Sequence, residues 1–297
     1  MRIALTGSSG FIGSVIARAL HARGHQVTGL VRSTSRRDHV APFVDRFIEG
    51  DHADPHCWPA LLREADAVVH NSFDWDALKS GDANRHLERN LLASIRFLHA
   101  SAPRPFVFIS SIAVHHDMRP RWSGMVDEDH PLRPASLYGA CKAAIEDHLW
   151  AAHFEQGRFV SALRPCAVYG IDPRIERSIG YPIIRQIRDR RPFTRPGGGK
   201  FVHVDDVAVA VASAVGNPDA SGRVYNLADC YARWADIAQM IADHLGIAAE
   251  IDFSSPPQPK NQFTKDAARS LGVPLDRGHQ GIRAYLGELV KVAMSGA

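Results

Sequence analysis

The sequence predicts an α/β fold: a doubly wound parallel sheet with helices on both faces, joined by a smaller, mostly helical C-terminal lobe. Three observations lead there. Short apolar runs alternate with longer stretches of helical periodicity over residues 1–170, and a glycine-cornered turn follows the first apolar run. The chain of 297 residues, 45% apolar and 23% charged, has a globular composition and enough length to bury a core and line a cleft.

Taken in order, residues 3–6, 26–31, 46–49, 67–70, 106–110 and 159–163 read as strands, and residues 11–23, 58–64, 83–100 and 136–155 as helices. Strands separated by helices of this length pair in parallel, through right-handed crossovers that cover both faces of the sheet. That arrangement is Rossmann-type. After Gly170 the pattern loosens. Residues 171–200 are rich in Arg, Pro and Gly, 204–215 read as one more helix, and 223–226 as one more strand. Helical stretches follow at 233–245, 264–271 and 280–292, with a Pro-rich connector at 254–259. The expected division is a dinucleotide-binding domain of residues 1–170, to which 199–230 return, and a substrate lobe assembled from 171–198 and 231–297.

The charge balance narrows the class. Thirty-five Lys and Arg against 32 Asp and Glu leave +3, and the basic residues are scattered outside 174–195, so nucleic acid is not an expected partner. Cys57, Cys141, Cys166 and Cys230 lie far apart with no CxxC pair, which argues against a zinc site or a disulfide framework and for reduced thiols. No stretch approaches the ~20 apolar residues of a membrane span. Met1 to Thr6 runs directly into Gly and Ser without the apolar stretch of a secretion signal. The expectation is a cytoplasmic protein that binds small molecules, with no metal.

Gly7-Ser8-Ser9-Gly10-Phe11-Ile12-Gly13 follows the first strand and opens the first helix. Glycine is needed there because backbone must approach a pyrophosphate closely, and the helix N-terminus then aims its unpaired N–H groups at that anion. Gly7, Ser9, Gly10, Phe11, Ile12 and Gly13 are the cofactor-binding candidates of this turn. An NAD site usually ends its second strand in a carboxylate for the ribose 2′-OH. Here the strand runs into Arg32-Ser33-Thr34-Ser35-Arg36-Arg37. Arg32 at that point suits a 2′-phosphate, so NADP(H) is favoured, with NAD(H) possible and a solvated basic loop the bland alternative. Asp51, just past the third strand, either accepts from the adenine amino group or caps a turn.

Tyr138 and Lys142 open the helix over 136–155. At i and i+4 they share a face, ~6 Å apart along the axis, and an ammonium that close is expected to pull the phenol downward from its ordinary pKa, making Tyr138 a general acid or base. Ser111 follows the 106–110 strand at the carboxyl end of the sheet, where open α/β sheets bind ligands, and its hydroxyl can meet a substrate oxygen whose charge changes.

With these residues in place, the chain resembles the extended short-chain dehydrogenase/reductases, the group containing NAD(P)-dependent epimerases and dehydratases. The likeness is carried by Thr6 to Gly13, the Ser111, Tyr138 and Lys142 set, Leu163-Arg164-Pro165-Cys166-Ala167-Val168-Tyr169-Gly170, and Phe201-Val202-His203-Val204-Asp205-Asp206-Val207-Ala208. It implies that Tyr138 is the catalytic acid/base, that Lys142 tunes it and holds the nicotinamide ribose, and that Ser111 polarises the reacting carbonyl or hydroxyl. It also implies a supporting catalytic role for Asn90, cofactor contacts at His70, Pro165 and Val168, and a homodimer formed through helices 83–100 and 136–155. The segment from Phe201 to Asp206 is then a hinge between lobes, outside the catalytic set.

Two stretches depart from the family pattern: Val114-His115-His116 after the serine, and His70-Asn71-Ser72-Phe73 after the fourth strand. His115 and His116 are too close together to argue for a metal pair. Ile112-Ala113-Val114 after Ser111 lacks the Thr-Asp-Glu set of the family's dehydratases. Arg174, Arg177, Arg185, Arg188, Arg190, Arg191 and Arg195 form either a wall facing an anionic substrate or a solvated face. The main expectation is an NADP(H)-linked reductase of a carbonyl or secondary alcohol. A nucleotide-sugar epimerase with tightly held NAD is the alternative, and a catalytically silent nucleotide-binding regulator is the third reading.

Overall fold

In the computed structural model, which describes residues 1–115 and 124–295, the strands in chain order are β1 (Arg2–Thr6), β2 (Gln26–Val31), β3 (Arg46–Glu49), β4 (Ala67–His70), β5 (Phe106–Ile109), β6 (Met125–Val126), β7 (Val160–Pro165), β8 (Ala167–Tyr169), β9 (Gly198–His203), β10 (Arg223–Leu227), β11 (Cys230–Arg233) and β12 (Gln262–Phe263). Seven of them form one parallel sheet in the order β10-β7-β5-β4-β1-β2-β3. Chain direction across the sheet reverses between β1 and β4, and the carboxyl ends of those strands open the crevice in which such sheets hold ligands.

The helices are α1 (Phe11–Ala22), α2 (Trp58–Leu62), α3 (Trp75–Lys79), α4 (Ala83–His86), α5 (Ala93–Ala100), α6 (Leu137–Gln156), α7 (Tyr181–Arg188), α8 (Val204–Ala214), α9 (Trp234–Leu245), α10 (Asp266–Ser270) and α11 (Gly278–Ser295). Successive residues of β1 serve opposite faces, as the two-residue pleat requires. Ile3 and Leu5 pack with Ile16, Leu20, Val207 and Val211 of α1 and α8, whereas Ala4 packs with Leu61, Phe97, Ile145 and Leu149 of α2, α5 and α6. Covered on both faces, β4, β5 and β7 are buried along their whole length. Ala268, Leu271, Val273 and Leu275 also join the first of these clusters, so this part of 264–275 packs against the sheet layer rather than among the other C-terminal helices.

The segment read as one helix over 83–100 is broken into α4, a π-helical stretch Leu87–Leu92, and α5. The wider turn sets Asn90 inward, where it is buried. In α6 the Ser136 hydroxyl accepts from the Gly139 N–H, and Gly157 closes the helix in the left-handed conformation at φ 62°. Leu98 faces the sheet, and Leu91 and Ile95 pack partly against the same core.

A second, three-stranded sheet, β11-β9-β8, escapes the sequence reading because its strands are short, glycine-bearing or edge pieces. β8 and β9 run parallel, and β9 and β11 antiparallel. It sits on a third core built around Tyr169, Phe201, Ile187, Ile241, Leu286 and Leu289. α7, also missed, buries Ile183, Ile184 and Ile187, which leaves Arg185 and Arg188 on its exposed side. Among the described residues no helix is long and apolar enough to cross a membrane.

Candidate active site

A cavity of about 950 Å³ opens at the carboxyl ends of the sheet strands. Phe11, Ile12, Ser111, Tyr138, Lys142 and Pro165 line it from the first sheet's side, and Val168, Lys200, Tyr231, Pro256, Gln258, Lys260 and Phe263 from the second sheet, the Pro-rich connector and the segment after it. The Pro-rich connector and the second sheet therefore meet the first sheet's loops across one space.

The glycine turn is built for close approach. Gly7 has φ +68°, its carbonyl accepts from the Gly10 N–H at 3.0 Å, and a Cβ at Gly13 would stand 2.0 Å from that same carbonyl oxygen. The first turn of α1 thus presses directly on the loop. Together with the cavity beside Phe11 and Ile12, this arrangement fits a dinucleotide: the backbone of Gly7, Ser9, Gly10 and Gly13 and the free N–H groups at the start of α1 suit its pyrophosphate. Arg32 is exposed immediately after β2, while Arg37 is engaged by Glu49 at 2.5 Å.

Of the remaining candidates, His70 lies elsewhere than the sequence reading put it, Asn90 acts at one remove, and Asp51 takes the second of its two expected roles. His70 is completely buried and outside the cavity. The Thr6 hydroxyl accepts from the N–H groups of Asn71 and Ser72 and so gives its own proton to His70 Nδ1, while Ser94 donates to the Asn90 carbonyl and so receives from His70 Nε2. With both ring nitrogens used, His70 ties β1 and β4 to α5 instead of touching a cofactor. Its neighbour Asn71 reaches the cavity wall. Asn90 also stays out of the cavity. Its Oδ1 accepts from the Asp74 N–H at 2.6 Å and its Nδ2 donates to the Asp74 carbonyl at 2.9 Å, so it positions the loop before α3. Asp51 does cap a turn, accepting from the Ala53 N–H, and it is also paired with Arg89 at 2.7 Å. Although burial pushes the Asp51 carboxyl up, the Ala53 N–H, His52 and Arg89 hold it below its ordinary value.

Ser111, Tyr138 and Lys142 converge as their spacing requires, with different electrostatics from those expected. The Ser111 hydroxyl hydrogen-bonds the Tyr138 phenol, yet burial pushes that phenol above its ordinary pKa. The expected depression by Lys142 is absent. Lys142 Nζ donates to the Ile109 carbonyl at 2.7 Å, 5.9 Å from the centre of the Tyr138 ring, and burial lowers its own pKa to about 8. Withdrawal of both groups from water outweighs their attraction at this separation.

Phe73, the last residue of the departing 70–73 stretch, and Trp75, which belongs to none of the sequence motifs, stand beside the phenol. Trp75 stacks on Tyr138 with ring centres 5.0 Å apart and planes at 26°, and Phe73 meets it edge-on at 5.1 Å. Behind Ser111, a buried ion pair joins Arg164 to Glu146 at 2.6 Å, and Glu146 also receives the Ser110 hydroxyl. Arg164 donates to His115 Nε2 at 3.2 Å. Burial first, then that guanidinium, lower His115 to about 4, so it lines the cavity as a neutral ring. His116 lies outside the described residues. Among those described, no group of three His, Cys, Asp or Glu is placed to hold a metal.

No carboxylate lines the cavity among the described residues, and its charged side chains are Lys142, Lys200 and Lys260. None of the arginines of 174–195 reaches the wall. Arg195 lies over the Trp234 ring at 3.7 Å and Arg191 pairs with Asp189.

Comparison with known proteins places this geometry. A model of the NAD dependent epimerase/dehydratase family matches residues 3–228. A dTDP-glucose 4,6-dehydratase of Mycolicibacterium smegmatis is 28% identical over 234 residues, 71% of this chain and 67% of the relative. A 4-hydroxy-2-methyl-3-oxo-4-farnesyl-3,4-dihydroquinoline-1-oxide ketoreductase of Stigmatella aurantiaca is 29% identical over 261 residues, 84% of this chain and 75% of the relative. Among solved structures, the UDP-glucose 4-epimerase of Thermus thermophilus in complex with NAD superposes with a TM-score of 0.76 at 26% identity, covering 97% of this chain and 99% of that one.

Proposed function

Because this chain belongs to the NAD dependent epimerase/dehydratase family, we propose that it moves hydride between a pyridine nucleotide and a carbinol carbon of a nucleotide-linked sugar, returning it to give the epimer. The bound nicotinamide supplies the acceptor and donor of hydride. Tyr138 takes the carbinol proton as the carbonyl forms and gives it back on return, while the Ser111 hydroxyl donates to the same oxygen and steadies its changing charge. Lys142, bonded to the Ile109 carbonyl, holds the strand end beside the phenol. The wall formed by Gly197, Lys200, Tyr231 and the 256–263 segment receives the nucleotide.

The observation that carries the substrate class is a wall that bears Lys200 and Lys260 and, among the described residues, no carboxylate, which suits a diphosphate. Ile112 and Ala113 directly after Ser111, in place of the acid and base that the dehydratases of the family carry there, disfavour dehydration. The test is incubation of the purified protein with NAD and UDP-glucose or dTDP-glucose, read by NMR. The 4-epimer is expected without net NADH, and no sugar conversion in either case overturns the reading.

A second reading, an NADP(H)-linked ketone reductase, is favoured by Arg32 at the end of β2 and by the aromatic side chains beside the phenol. Stoichiometric NADPH loss with a ketone would select it. The exposed Leu87 and the 79% exposed Phe154, on the two helical elements expected to pair, support a homodimer, which sedimentation of Phe154→Glu against wild type checks.

A further inference from the structure

We propose that Trp75, with Phe73, is a specificity-determining platform that stacks on the apolar face of the ring bearing the reacting carbon. In the nucleotide-sugar case this rests on the preceding reading, since the ring is then the hexose. The argument starts from position. A substrate oxygen on the Tyr138 hydroxyl brings the attached carbon beside the phenol ring, and that ring is flanked by the indole face at 5.0 Å and the Phe73 edge at 5.1 Å. The group next to the reacting carbon therefore meets aromatic surface.

The second step is exposure without a core role. Trp75 is 49% exposed and belongs to none of the three core clusters, yet it lines the cavity. Its backbone is nonetheless held firmly. Asp74, the residue before it, is gripped at both N–H and carbonyl by the buried Asn90 side chain, its carboxylate caps α3 through the Ala77 N–H, and Arg89 binds that carboxylate. The backbone that carries the half-exposed indole is thus fixed by a buried asparagine and an arginine, and the ring itself by its stack on Tyr138, which preorganises it for contact. One indole face is taken by the phenol; the other suits a ring with an apolar C–H or aromatic face, and such stacking is worth a roughly 3- to 10-fold affinity difference.

The experiment compares wild type, Trp75→Ala and Trp75→Phe, each saturated with NAD, by calorimetry with UDP-glucose and with UDP. The platform predicts that Trp75→Ala weakens UDP-glucose about 3- to 10-fold, leaves UDP and NAD unchanged, and is largely rescued by Trp75→Phe. Equal weakening of UDP and UDP-glucose, or unchanged binding of both, overturns it. Should wild type bind no UDP-glucose, the nucleotide-sugar reading falls while the platform remains under test with NADPH and two ketones. A KM rise confined to cyclohexanone supports it, and an equal effect on cyclohexanone and 2-butanone overturns it.

Discussion

Lys142 Nζ lies 2.7 Å from the Ile109 carbonyl oxygen and 5.9 Å from the centre of the Tyr138 ring. The ammonium is thus bonded to the end of β5, the strand that leads into Ser111, so the lysine braces the serine and the phenol together. Burial, which outweighs the opposing pull of Cys141 and Glu146, brings its pKa from 10.5 to about 8. Below that value the native state holds a buried charge. As pH climbs from about 8 toward 10.5, the unfolded chain keeps a proton the native state has released, and stability rises with pH. Lys142→Met should abolish this rise. The wild-type stability relative to the variant should therefore grow by up to about 3 kcal/mol across the window, and denaturant titrations at pH 8 and 10 check it.

Tyr138→Phe should lower turnover by roughly 10²- to 10⁴-fold while NAD(P)H affinity stays near wild type. Ser111→Ala removes the hydrogen bond that opposes the upward push on the phenol, so its alkaline activity limb should move to higher pH. Single-turnover rates across pH, beside cofactor titrations, read both effects.

Arg32→Asp should shift the ratio of NADPH to NADH affinity toward NADH by at least ~10-fold, because a carboxylate repels a 2′-phosphate and accepts from a 2′-OH. An unchanged ratio would show that Arg32 does not meet the adenosine ribose.

Glu146→Gln leaves the Arg164 guanidinium buried without its counter-charge. The expected loss is about 3–5 kcal/mol of stability, measured by chemical denaturation. The loss should shrink in the double variant Glu146→Leu/Arg164→Met, which removes both charges.

Gly13→Ala places a methyl group 2.0 Å from the Gly7 carbonyl oxygen, against backbone that cannot yield cheaply. The rise in Tm that bound cofactor is expected to give the wild type should disappear.

Much of the site was legible because its signals are local. Ser136 capping α6 sets Tyr138 and Lys142 on one face, and the glycine spacing of 7–13 follows from backbone contact within a single turn. His70 was misplaced, and the way Asn90 acts was hidden, for the opposite reason. Sequence spacing does not show that a π-helical turn directs Asn90 onto the Asp74 backbone, or that Thr6 and Ser94, 64 and 24 positions away, use up the His70 ring. The direction of the Tyr138 shift was missed because burial of the pair, and not its four-residue separation, dominates.

Period-two and period-3.6 apolar patterns, with glycines at the first turn, were by themselves enough to determine the parallel sheet, its flanking helices and the serine, tyrosine and lysine at its carboxyl edge, since each depends on neighbours within a few residues. Only the folded chain decided that Trp75 covers the phenol, that the Pro-rich connector and Lys200 complete the cavity, and that the arginines of α7 face away. Those outcomes depend on contacts between segments far apart in the chain, whose geometry is set by how three hydrophobic clusters pack and not by any local pattern.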